Sequence, residues 1–162
     1  MQLLPILQSL VLLALANGMP VVAKKILADS FAFPLDAGFL YPDGRPLFGP
    51  SKTIRGILVS ILVTAGCAPL VNLDFEVGAG VAGVAMAGDL FSSFVKRRLN
   101  FPPSSQAIGL DQVPESLFPL VAYQHMLSLT YADIFIGVGL FFLGELVISR
   151  VLYTLRLRDE PY

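Results

Sequence analysis

The sequence predicts an all-α, polytopic membrane protein: a bundle of about five transmembrane helices with two cytoplasmic loops. Three observations predict it. Of 162 residues, 55% are hydrophobic and only 14% charged, where a soluble domain is roughly a quarter charged. Mean hydropathy is +0.72. The apolar residues fall into separate stretches near the length of about 20 residues that a helix needs to cross a bilayer. A chain of this length makes a single domain, 1–162.

The spans follow in order. Leu3 to Ile26 is the first, Ile54 to Val71 the second and Val77 to Val95 the third. Ser116 to Tyr131 is the fourth, short and polar in places, with a re-entrant segment as the alternative; Ile134 to Leu155 is the fifth. The opening stretch, Met1 to Gly18, has the look of a signal peptide but lacks a basic leading region. Lys24 and Lys25 follow it instead, so it reads as a membrane helix that is retained.

Charge sets the orientation, because cytoplasmic connections collect Lys and Arg. Lys24, Lys25, Arg45, Lys52 and Arg55 lie between spans one and two. Lys96, Arg97 and Arg98 end span three, and Arg150, Arg156 and Arg158 end the chain. The links Asn72 to Glu76 and Tyr131 to Asp133 have no Lys or Arg. The N-terminus is therefore expected outside the cell membrane and the C-terminus inside, which needs an odd number of spans. The net charge of −1 gives no footprint for nucleic acid. Cys67 is the one cysteine; it excludes an intrachain disulfide and a thiolate metal cluster, and reads as a packed thiol.

Two inner loops are long for so small a protein, Ala28 to Thr53 and Asn100 to Glu115, and their Pro, Gly and Asp residues read as turns. Long ordered loops are usually functional. Span three opens with small residues that let helices approach closely, a surface on which a second copy could also pack. It then carries Asp89, Ser92, Ser93 and Lys96 at i, i+3, i+4 and i+7, one polar stripe running to the inner end. An aspartate on a membrane span is costly and normally faces a cavity, a partner or a metal. Asp111, in the second loop, is a candidate to meet it, as two carboxylates beside phosphate oxygens suit Mg²⁺.

In the first loop, Gly49, Ser51, Lys52 and Thr53 lack the spacing of a phosphate loop. Even so, Lys52, Thr53 and Arg55 open a helix whose N-terminal N–H groups favour phosphate. On span one, Asn17, Pro20, Val21 and Lys24 share a face. Pro20 frees a carbonyl, and Asn17 reads as interhelical glue. His125 reads as a packed, hydrogen-bonded residue. Glu145 has no partner identifiable from sequence.

Taken in order, Asp43-Gly44-Arg45, Phe48-Gly49, Lys52-Thr53, Arg55-Gly56, Gly88-Asp89, Ser93-Phe94, Lys96-Arg97-Arg98 and Leu110-Asp111-Gln112 resemble the CDP-archaeol synthase family, distant relatives of CDP-diacylglycerol synthases. The resemblance covers most of the chain. It implies a cytidylyltransferase that uses CTP and Mg²⁺ to convert a phosphorylated lipid into a CDP-activated lipid and pyrophosphate, for phospholipid biosynthesis. On that footing Asp89 and Asp111 hold the metal, with Lys96 beside them in catalysis. Lys52, Thr53, Arg55, Ser93 and Arg97 bind the nucleotide. One departure stands out: where relatives of the diacylglycerol enzymes carry an Asp three residues after Asp111, this chain has Pro114, then Glu115. Either Glu115 acts from a shifted position or a second metal is bound differently. Two other readings compete. A small transporter would use Asp89, Glu145 and Pro20 to line a pathway, though it would usually show repeated halves. A noncatalytic lipid-binding or assembly subunit would use the small-residue face of span three for docking.

Overall fold

The computed structural model describes residues 2–102 and 105–154. These residues form five α-helices: α1 (Leu3–Leu27), α2 (Ile54–Cys67), α3 (Phe75–Arg98), α4 (Gln112–Ala122) and α5 (Tyr131–Thr154), with a 3₁₀ turn at Ala68–Val71 extending α2. The all-α architecture agrees with the sequence reading. Among the described residues, four segments are long and apolar enough to cross a membrane: Leu3–Leu27, Ile54–Val71, Phe75–Arg98 and Tyr131–Val151. Arg156, Arg158, Leu155 and Pro103 lie outside the described residues.

The fourth expected span needs correction. Helix α4 starts four residues before Ser116 and stops at Ala122. At about 1.5 Å per residue, its 11 residues span about half of a ~30 Å hydrocarbon core. The chain still crosses the bundle. The backbone N–H of Gln2 donates to Asp133 Oδ1 at 3.0 Å, so α1 and α5 begin side by side, whereas Asp111, just before α4, lies near the other ends of α1 and α3. Turns over 123–129 complete the distance, held by Leu127 N to Tyr123 O and Leu129 N to Gln124 O. Non-helical backbone at such depth needs protein cover, and Leu127 is buried in the core. His125 lies on these turns, exposed and outside any helix, and not packed as the sequence suggested. Its one ring contact is Gln124 Nε2 at 3.4 Å.

Local chemistry explains the joints. Pro20 has no N–H to give the carbonyl four residues back, and that carbonyl, Ala16 O, accepts instead from Ser60 Oγ of α2 at 2.7 Å. Thr53 caps α2, its Oγ1 accepting from Gly56 N at 3.1 Å. Thr130 and Asp133 cap α5 reciprocally: Asp133 N donates to Thr130 Oγ1, and Thr130 N to Asp133 Oδ2. Helix α3 is the central element, packed on α1, α2 and α4. A Cβ on Gly78 would lie 2.8 Å from Thr64 O of α2, and one on Gly88 would lie 2.5 Å from Pro114 O in the first turn of α4. Gly78 and Gly88 are thus spent on contacts within one chain, whereas an added Cβ on Gly83 would meet nothing within 4 Å. The core around α3 includes Leu12, Leu13, Ala16, Val81, Ala82, Ala85 and Leu120.

Candidate active site

The first loop is folded on itself and then fastened to α3. Asp36, itself buried, accepts from Gly49 N at 2.9 Å, Phe48 N at 3.0 Å and Gly38 N at 3.2 Å. Burial works to raise its pKa, but the N–H donors of Gly49, Phe48 and Gly38 outweigh it and hold the carboxylate below its ordinary range. Gly49 meets Asp36 at a φ of +97, in the region where glycine is at ease. Two arginines make the fastening. Arg45 Nη1 donates to Arg98 O at 2.6 Å, satisfying a carbonyl at the end of α3. Arg98 Nη2 donates to Pro46 O at 2.6 Å, its Nε lies 3.3 Å from Asp43 Oδ2, and its guanidinium stacks over Tyr41 at 4.6 Å. The Asp43-Gly44-Arg45 segment therefore attaches a loop to a helix.

That attachment brings Lys52 over α3. Lys52 Nζ lies 2.6 Å from Asp89 Oδ1 and contacts Oδ2 as well. Burial acts to lower the lysine pKa, yet the Asp89 carboxylate, with Glu115 and Asp111 farther off, carries the net shift upward. Lys52 stays an ammonium. About two turns along α3, Lys96 Nζ lies 2.7 Å from Asp111 Oδ1 and donates to Ser105 O at 2.9 Å. Ser92, within the stripe, donates to Leu110 O at 2.6 Å. Ser92 and Lys96, together with Arg97 through Pro102 O, thus pin the second loop.

Between these elements is a cavity of about 710 Å³, within the size range of small-molecule sites. Lys52, Thr53 and Arg55 line it from the first loop and α2; Asp89, Ser93, Lys96 and Arg97 line it from α3, and Asp111 from the second loop. All eight residues singled out in the sequence face one space, but their surroundings differ. Thr53 Oγ1 is engaged as a helix cap. Arg55 Nη1 donates to Ala28 O at 2.9 Å and to Ser30 O, closing the end of α1. Arg97 is buried and gives Nη2 to Pro102 O at 3.0 Å, while its Nε and Nη1 have no hydrogen-bond partner among the described residues. Ser92 of the predicted polar stripe points instead to the loop backbone.

The carboxylates are arranged differently from the sequence expectation. Asp89 and Asp111 open on the same cavity, but each oxygen of Asp111 is engaged, Oδ1 by Lys96 and Oδ2 by Ala107 N at 2.8 Å. A third acidic side chain, Glu115, lines the cavity together with Asp89 and interacts with it electrostatically. Its signal was legible: Glu115 follows Asp111 by four residues, one helical turn. Asn17 and Glu145 also line the cavity. The Asn17 amide is shut off from solvent, with no hydrogen-bond partner among the described residues, so it does not act as interhelical glue here. Its alignment with Pro20, Val21 and Lys24 was the signal, since all four line the space.

Among the described residues, no group of three or more Asp, Glu, His or Cys side chains is placed to hold a metal unaided. An adjacent pair of carboxylates facing a space for phosphates does suit a cation such as Mg²⁺, which keeps few protein ligands and takes the rest from substrate oxygens and water.

A family model described as "CarS-like: CDP-archaeol synthase" matches residues 68–162. A CDP-archaeol synthase of Pyrobaculum islandicum is 34% identical over 154 residues, covering 91% of both chains. One from Pyrococcus furiosus is 43% identical over 89 residues, 49% of this chain and 53% of that one. A solved structure, described as an intramembrane enzyme for archaeal membrane lipids biosynthesis, superposes with a TM-score of 0.72 at 27% identity, covering 86% of this chain and 91% of that chain.

Proposed function

The chain belongs to the CDP-archaeol synthase family, a CTP-dependent cytidylyltransferase of lipid biosynthesis, and from that premise we propose that the cavity between the two loops and α3 holds CTP and the phosphate end of the lipid side by side. The comparisons give no support to the transporter or subunit readings. The observation that carries the proposal is the convergence of Lys52, Asp89, Lys96, Arg97 and Asp111 on one space at the basic end of the bundle.

In the reaction, an oxygen of the lipid phosphate forms a bond to the α-phosphorus of CTP. The bond from that phosphorus to the β-phosphate oxygen breaks, and pyrophosphate leaves with the electron pair. The attacking oxygen is already anionic near neutral pH, so no strong base is needed. The barrier is repulsion between anions and their alignment. Lys52, Lys96 and Arg97 lower it by placing fixed cations against the triphosphate and the leaving group, and Ser93 offers a hydroxyl donor. Asp89 and Glu115, with Asp111 at the rim, would hold Mg²⁺, which supplies charge neutralisation on the phosphates. Asp111 keeps Lys96 directed into the cavity. The acceptor is a phosphorylated archaeol, the lipid in the relatives' name, with its chains leaving the cavity into the bilayer. The cavity faces the cytoplasm and the N-terminus lies outside the cell membrane, as the positive-inside bias requires.

The test is purified protein in lipid nanodiscs with CTP, Mg²⁺ and either archaeol phosphate or diacylglycerol phosphate, read by product mass. A CDP-lipid from the archaeol substrate is expected, absent with chelator and restored by Mg²⁺. Asp89→Asn should insert normally and lose turnover. Full activity in that variant removes Asp89 from the site, and preference for the diacyl lipid rejects the assigned acceptor.

A further inference from the structure

We propose that the first loop rides on the lipid leaflet, with the rings of Phe31 and Phe33 seated between headgroups and upper acyl chains beside the first turn of α2. Both residues lie outside the apolar spans, yet Phe31 is 72% exposed and Phe33 is 67% exposed. In water such rings would be an unexplained apolar patch.

Their height is fixed by backbone hydrogen bonds. Phe33 O accepts from Ile54 N at 3.1 Å, Leu35 N donates to Lys52 O at 2.7 Å, and Pro34 bridges to Thr53. Phe33 therefore lies level with the residue that begins α2, not above it in the cytoplasm. The preceding carbonyls, Ala28 O and Ser30 O, are held by Arg55 of the same turn, which keeps Phe31 near that level. Ile54 and Leu58 on α2, and Ile26 on α1, are exposed apolar residues of the membrane spans. The lipid-facing surface thus continues onto the two rings, and this continuity commits the occupant to the bilayer. Interfacial depth is where aromatic rings are favoured.

The consequence bears on the reaction, and this part rests on the proposed function. Lys52 is bonded through its own carbonyl to Leu35, two residues from Phe33. A loop seated in the leaflet holds that cation, and the cavity mouth, at the depth of lipid phosphates.

The chain has no Trp, so a single introduced Trp reports without background. Phe33→Trp, and Phe31→Trp as a second reporter, are placed in vesicles of lipids brominated either near the headgroup end or near the methyl end of the acyl chains. Leu62→Trp, on the exposed middle of α2, marks the deep position. The expected result is blue-shifted emission from the loop reporters, quenched more strongly by shallow bromines, with the reverse order for Leu62→Trp. Emission like that of aqueous Trp, quenched by iodide and not by bromolipid, overturns the proposal. A blue shift without bromine quenching also overturns it, since protein would then cover the rings. These readouts need no catalysis, so they stand apart from failure of the enzymatic reading. For the positional role, Phe31→Ser with Phe33→Ser should raise KM for the lipid phosphate at least threefold and leave KM for CTP unchanged. Equal rises, or none, would reject that role.

Discussion

Gly88 is the position where one added carbon should cost the most. An alanine there would place its Cβ 2.5 Å from Pro114 O, 2.7 Å from Pro114 C and 2.9 Å from Glu115 N. All three are backbone atoms, so no side chain can rotate away. Carbon–oxygen contacts settle near 3.3 Å or more, so the start of α4 must retreat by close to 1 Å. Overpacking of this kind costs about 1–3 kcal/mol. The retreat also moves Glu115 off Asp89, and a misplacement of about 1 Å near a reacting centre can cost on the order of 10²-fold in rate. Gly88→Ala should therefore lower both the unfolding midpoint and kcat for CMP transfer, measured side by side in one nanodisc preparation. Gly83→Ala is the control: it shares the helix, and its added Cβ would meet nothing within 4 Å, so both readouts should stay near those of the parent. Parental kcat in Gly88→Ala would refute the claim that the α3–α4 approach sets the carboxylate geometry.

Lys52→Met should leave Asp89 without its cation and cut kcat/KM for CTP by roughly 10²–10³-fold, the usual loss for a removed charge-stabilising donor; steady-state kinetics decide, and unchanged kinetics would remove Lys52 from the nucleotide site. Asp36 has a folded pKa below its ordinary 3.8, so its contribution is in place above about pH 4 and lost as pH falls through the folded value. Hydrogen-exchange protection factors across 34–52, corrected for the intrinsic pH dependence of amide exchange, should fall on acidification, and Asp36→Asn should show low protection already at neutral pH. Ser60→Ala should cost about 1 kcal/mol by orphaning Ala16 O, but close to nothing in a Pro20→Ala background, where residue 20 regains the N–H to satisfy that carbonyl; a thermal-unfolding double-mutant cycle measures the difference.

Hydropathy and caps made most of the fold legible, because both are local. Apolar runs gave α1, α2, α3 and α5 to within a few residues, as lipid exposure demands. Helix α4 resisted because it is not lipid-bound along its length: with Pro119 inside it and α3 and α5 around it, protein replaces the bilayer and hydropathy loses its meaning. At the site, residue type and helical spacing picked out the cavity-lining cations, since a charge on a membrane face has few other reasons to exist. Spacing could not say which carboxylate meets which partner. Asp111 was expected beside Asp89, but its loop turns back so that Ala107 N and Lys96 engage it, and Glu115 takes the near position. The Arg45–Arg98 fastening was invisible for the same reason, being a contact between a loop and a helix end some 50 residues apart.

The pairing of charges also constrains how substrate must enter. A lone ammonium or carboxylate in a membrane-bounded cavity carries a desolvation penalty that a close counterion offsets. Lys52 with Asp89 and Lys96 with Asp111 supply such counterions within the chain. When a CTP–metal complex occupies the space, each member of these pairs would change partner: the lysines would turn to phosphate oxygens, and Asp89 and Asp111, with Glu115, would turn to the cation. The exchange replaces one set of close ion pairs by another, so the penalty is not incurred anew. It also means CTP without metal should bind poorly, because its phosphates would draw the lysines away and leave two or more carboxylates unpaired. Isothermal titration with CTP in chelator should then give at most weak heat, and Mg²⁺ should tighten binding at least tenfold. In Asp89→Asn that metal dependence should shrink, since one of the carboxylates to be orphaned is gone. Equal CTP affinity with and without Mg²⁺ in the parent protein would show that the lysine pairs do not open on binding, and the exchange argument would fail.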